Sequence, residues 1–137
     1  PRAVLEVRVF AADLDAAAAV ALGRTLRAEI DDAAEPIGVL VLADGATTLT
    51  PSAPGGYDPD AEAVQSVLDD ALAAGDVAAL RRLPDGIAGR VAYQVLAGLA
   101  GSGPWAATDM AQGAPYGVGY FVGTWVPGPG GQEFKDL

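Results

Sequence analysis

The chain has 137 residues, 51% of them hydrophobic, which is one domain's length with enough apolar material for a buried core. Eighteen acidic against eight basic residues leave a net charge of −10, a balance that repels phosphate backbones and anionic lipid, so neither nucleic acid nor membrane is an expected partner. With no histidine and no cysteine, the chain has no disulfide, no thiolate metal site, no cysteine nucleophile and no imidazole to act as base or metal ligand. There is no secretory pattern and no apolar run near the roughly 20 residues of a membrane span, so the expected location is the cytoplasm.

Residues 4–10, VLEVRVF, alternate Leu5, Val7 and Val9 with Glu6 and Arg8, the two-residue period of a half-buried strand. Asp13 or Asp15 can cap a following helix whose apolar stripe is Ala19, Leu22, Leu26 and Ile30, ending near Asp31-Asp32. Next comes the apolar run IGVLVLA, residues 37–43, broken by Asp44-Gly45 and read as a strand buried on both faces. Strand, helix and strand make a crossover unit with parallel strands, and the crevice beyond the second strand, residues 44–54, is where a ligand is expected.

Pro54-Gly55-Gly56 is loop, and Asp58-Pro59 predicts an N-cap with proline at the first helical position. Val64, Val67, Leu68, Ala71 and Leu72 form one face of that helix, and Gly75 is its stop. Asp76 caps a short helix over 77–83, and a further helix over 85–100 carries Ile87, Val91, Val95 and Leu99, stopping at Gly101. Residues 105–110 and 117–126 predict two strands paired as a hairpin. The expected fold is α/β: a mixed, partly parallel sheet of about four strands flanked by helices, one domain over 1–126 with a flexible tail over 127–137. A sheet so thin should have apolar free edges, so a partner is expected, either as a homo-oligomer or as a missing N-terminal portion or partner chain.

The segments IGVLVLADGATTLT, APGGYDPDAEAVQSVLDDALAAGDVAAL and APYGVGYFVGTW resemble the C-terminal half of the class III extradiol ring-cleavage dioxygenase superfamily, the LigB-type catalytic subunit, and in particular its small uncharacterised bacterial members. The resemblance covers about three quarters of the chain and rests on the order of Gly45 to Leu49, Pro54-Gly55, Asp58-Pro59 and Ala74-Gly75-Asp76. It implies the LigB-like fold and, in intact relatives, ring cleavage at iron(II) held by two His and one Glu. The departures bear on activity. The family's catalytic His falls at about Leu49, its Glu falls where this chain has Gly89, Arg90 and Val91, and both iron-binding His belong to the N-terminal half. No cofactor is expected from this chain, and Fe(2+) only if an N-terminal half supplies ligands. The resemblance therefore predicts a domain without catalysis of its own, or one half of a ring-cleaving oxidoreductase.

Among individual residues, Asp44 could orient a hydroxyl or act as a base, although turn chemistry explains Asp-Gly better. Gly45, Thr47, Thr48 and Thr50 could line a pocket, although hydroxyls without a base are poor nucleophiles. Asp58, Asp60 and Glu62 have the spacing of hard-cation ligands without the glycine and later glutamate of a calcium loop, so capping explains them better. Tyr116 and the strand after it could present an aromatic wall. Pro1 offers a different class of chemistry: in the tautomerase superfamily an N-terminal proline amine is the base, opening a strand–helix–strand unit, with Arg2 here placed to lower its pKa.

Overall fold

The computed structural model describes residues 2–128. Four helices, α1 (Ala16–Asp32), α2 (Ala61–Ala74), α3 (Val77–Arg81) and α4 (Arg90–Ala100), precede strands β1 (Trp105–Gly113) and β2 (Tyr120–Pro127). The chain is mixed α/β, as its patterning predicts. The sheet is smaller than expected: among the described residues it has two antiparallel strands, and the four-stranded, partly parallel arrangement is not present. Among the described residues, 4–10 and 37–43 join no ladder, and neither stretch makes a backbone–backbone hydrogen bond. Their period is that of strands, but a strand exists only where a neighbour supplies donors and acceptors, and no neighbour does so here.

Local signals fared better. Asp15, not Asp13, caps α1, its Oδ1 accepting from Ala18 N at 2.8 Å. Gly75 ends α2 in the left-handed region at φ 63°, and Asp76 caps α3 by accepting from Ala79 N at 3.0 Å. Two helices begin later than predicted. Asp58 accepts from Asp60 N through its side chain at 2.9 Å and from Ala61 N through its carbonyl at 3.0 Å, so an Asx turn occupies the expected first turn and α2 starts at Ala61. Residues 84–89 are loop, with Gly86 at φ 100° and Gly89 N donating to Asp44 O at 2.8 Å, so α4 starts at Arg90. α3 stops at Arg81, short of the predicted 83.

The buried face of α1 is also different. Ala19, Val20 and Gly23 are buried while Leu22 is exposed, because α1 crosses α4 where both helices carry glycine. A Cβ on Gly23 would stand 2.7 Å from Leu99 N and 2.9 Å from Gly98 Cα, so the small residues set the helix separation.

The main core lies between α2, α3, α4 and the hairpin, built on Leu68, Leu72, Leu80, Ile87, Tyr93 and Ala97. Trp105 and Trp125 cover it, stacked with centroids 6.2 Å apart. Their indole N–H groups donate to Ala100 O at 3.0 Å and Leu72 O at 2.8 Å, which pins the hairpin to the ends of α4 and α2. A smaller cluster of Ala19, Val91 and Val95, with Phe10 and Leu14 against it, joins α1 to α4. The hairpin register pairs Trp105 with Pro127 and Gly113 with Tyr120, interrupted by a bulge between Thr108 and Ala111 where Asp109 takes φ 53°. The strand predicted over 117–126 begins three residues late, at Tyr120, because Gly117 and Gly119 bond to residues 45–49 instead. The predicted tail lies outside the described residues from position 129 onward. No helix among the described residues is long and apolar enough to cross a membrane.

Candidate functional site

The loop after residues 37–43 is held by backbone bonds rather than by a sheet. Gly45 N donates to Gly119 O at 2.9 Å, Gly119 N to Ala46 O at 2.8 Å, and Leu49 N to Gly117 O at 3.1 Å, so the two loops zip together. On the other side, Ala88 N donates to Gly45 O at 3.1 Å. Beneath this junction sits Gln65 of α2, one of two buried uncharged polar side chains among the described residues. Its Oε1 accepts from the buried Ala46 N at 2.8 Å, and its Nε2 donates to Asp69 Oδ1 at 2.9 Å. Gly45 and Gly119 are glycines because the Gln65 amide occupies the space a Cβ would need at either position. Gly45 is not in the left-handed region that an Asp-Gly turn would require; close approach explains it.

Tyr93 of α4 supports the same loop, its hydroxyl donating to Ala43 O at 3.0 Å. Burial, and then the negative charges of Asp44 and Asp69, push its pKa up to about 12. Burial also raises the Asp69 carboxyl, opposed by the bond from Gln65 and reinforced by Asp70.

An open recess of about 320 Å³ borders this junction, lined by Leu49, Thr50, Glu62, Gln65, Asp69 and Gln112 among others. Its rim is rich in acceptors, suited to a small molecule that donates hydrogen bonds. Thr50 Oγ1 stands where a Cβ on Gly117 would be and has no hydrogen-bond partner. No imidazole exists in this chain to activate a hydroxyl there.

The predicted site residues are brought together only in part. Leu49 and Thr50 reach the recess, whereas Asp44 is exposed at the far side of the junction, where its carbonyl receives Gly89 N. Thr47 and Thr48 pack against Gly55, and their carbonyls accept from Gly55 N and Asp58 N, both at 3.0 Å, so they shape the loop. Tyr116 is exposed in the hairpin loop and does not line the recess. Pro1 lies outside the described residues. Asp58, Asp60 and Glu62 serve the start of α2, and among the described residues no three Asp or Glu converge as metal ligands would. The residues that sequence reading missed are Gln65, Asp69 and Tyr93. A signal existed for the first: Ala61, Gln65, Leu68 and Leu72 share one helical face, and a polar residue at apolar spacing marks a buried hydrogen bond.

Comparison with protein-family models finds no match for this sequence, and the curated proteins contain none either.

Proposed function

We propose that this chain is one half of an extradiol-dioxygenase-like α/β unit, without ring-cleavage chemistry of its own. The observation that carries the reading is Arg90. It stands where the family's carboxylate ligand is expected, and its guanidinium donates to Leu14 O at 2.7 Å and to Gln94 Oε1 at 2.6 Å. A cation built into the join between α1 and α4 opposes a second cation beside it and offers no lone pair. Leu49 supports the same conclusion, since an aliphatic side chain lines the recess where the family's acid–base group would act. The residues present do not fit a ferrous site.

A second reading, in which an N-terminal half brings two histidines and Fe(2+), gains support from the two stretches that lack strand partners. It still leaves the third ligand unprovided at positions 89–91. The four-stranded, partly parallel sheet belongs to this completed state. Anaerobic loading of the purified chain with iron(II), then desalting, metal analysis and assay with catechol, tests the proposal. The expected result is no retained iron and no ring-fission absorbance; turnover by this chain alone refutes it.

A further inference from the structure

Residues 4–10 and 37–43 are the two places where strand patterning and the absence of a ladder coincide. On the first, Arg8 donates to Glu29 of α1 at 2.9 Å and Phe10 packs against the smaller cluster, so these two side chains face the helix, while Val4 is 96% exposed. Leu5, Val7 and Val9 point away and are 85%, 72% and 88% exposed. On the second, Ile37 and Val39 are about half exposed, while Leu40 and Leu42 on the opposite face are each 81% exposed. Each stretch thus has side chains turned toward the body of the protein, an outer face that is apolar, and no backbone–backbone partner among the described residues, Ala43 O alone being engaged, by the Tyr93 hydroxyl. Water can satisfy those groups, but it cannot satisfy the apolar faces.

We propose that the two stretches are a docking site for β-strands of a partner polypeptide that are apolar on both faces and neutral or basic at their ends. The strands pair edge to edge with residues 4–10 and 37–43, and the remainder of the partner covers the outer face. Three observations select this occupant. The exposed apolar side chains of the two stretches present roughly 500 Å² at the area implied by transfer energies, most of the ~800 Å² per partner in a stable interface. The net charge of −10 favours a partner without acidic ends. A second copy fails the charge requirement, since it adds another −10. The inference rests on unpaired backbone and exposed apolar faces, not on the family reading, so iron binding by this chain would leave it standing.

Hydrogen exchange read by mass spectrometry tests it. In the chain alone, at monomer mass, amides of 4–10 and 37–43 exchange at nearly the unprotected rate while α4 is protected. The probe is a peptide of about twelve residues, valine and isoleucine flanked by lysine pairs, long enough for one strand. It is expected to slow exchange in both stretches by at least about tenfold, and the effect is lost with a central proline in the peptide or in the doubly substituted chain Val7→Lys, Leu40→Lys. Three outcomes overturn the proposal: protection of both stretches in the isolated monomer, protection that grows only as the chain dimerises with itself, or no protection by the peptide.

Discussion

Replacing Gln65 with leucine keeps the volume and removes both hydrogen bonds at the loop junction. The first loss is the acceptor of Ala46 N, a fully buried amide with no other partner. Leaving such a group unsatisfied costs about 1–3 kcal/mol. The second is the bond to Asp69 Oδ1 at 2.9 Å, a charge-assisted contact on a carboxylate that burial already disfavours. Partial exposure of Asp69 holds that part to about 1 kcal/mol, and the extra apolar carbon of leucine returns up to ~1 kcal/mol. The net expectation is a loss of about 2–3 kcal/mol, a large fraction of the roughly 5–15 kcal/mol that holds a domain of this size. Urea unfolding should show the midpoint falling by about 1–2 M with the slope unchanged, and exchange at the Ala46 amide should accelerate by more than that global change explains. Gln65→Glu is the companion variant: it keeps an acceptor for Ala46 N but sets a second carboxylate against Asp69, and it should recover toward wild type as the pH falls and the pair takes up a proton. A Gln65→Leu chain within ~0.5 kcal/mol of wild type would refute the idea that this amide ties the loop to α2.

Two further outcomes follow from the same geometry. Tyr93 has its pKa raised from 10.0 to about 12, so between those pH values the folded chain keeps a proton that the unfolded chain has lost; stability must fall as pH rises through that window, by about 2–3 kcal/mol in all. Tyr93→Phe should flatten this alkaline slope while costing about 1 kcal/mol near neutrality for the lost bond to Ala43 O, and equal slopes for the two proteins would contradict the assignment. At Gly98 a Cβ would stand 2.9 Å from Val20 C and 3.0 Å from Arg24 N, backbone atoms that move only if α1 and α4 separate. Gly98→Ala should therefore lower the melting temperature, by about 1–3 kcal/mol of stability, although helix propensity alone would raise it by ~1 kcal/mol; the sign of the change decides which effect wins.

Features set by neighbours in sequence could be read from the sequence, and features set by distant neighbours could not. The caps at Asp15 and Asp76, the stop at Gly75 and the hairpin of β1 and β2 each depend on a few consecutive residues, and each forms as its local chemistry dictates. Of the stripe Ala19, Leu22, Leu26 and Ile30, Ala19 is buried, Leu26 and Ile30 are half-buried and Leu22 is exposed, because size, not hydrophobicity, decides a close helix crossing: Gly23 and Gly98 let the backbones approach, and the contact face rotates toward them. The loop junction was legible only in part. Residues 44–50 do form the ordered junction, but Thr47 and Thr48 spend their carbonyls on the loop itself, and the group that organises the junction, Gln65, comes from a helix read only for its apolar face. Nothing in the local sequence announces that two glycines 74 positions apart, Gly45 and Gly119, are small for the sake of one amide.

The same distinction explains how part of this chain stands without a sheet. The main core recruits α2, α3, α4 and the hairpin, and both tryptophans anchor by their indole N–H groups to helix carbonyls, so that region closes on itself. Residues 4–10 and 37–43 contribute only Phe10 to the smaller cluster and Ala43 to the larger one, each at the end of its stretch. Beyond those anchors, Leu5, Val7, Val9, Leu40 and Leu42 remain in water, and burying them would be worth roughly 10 kcal/mol at ~1.5–3 kcal/mol for each fully covered residue. That is comparable with the entire stability of a small domain. On the proposal above, this face, left uncovered by the described residues, is one side of an interface, and the Ala43 and Phe10 anchors hold both stretches in place for it.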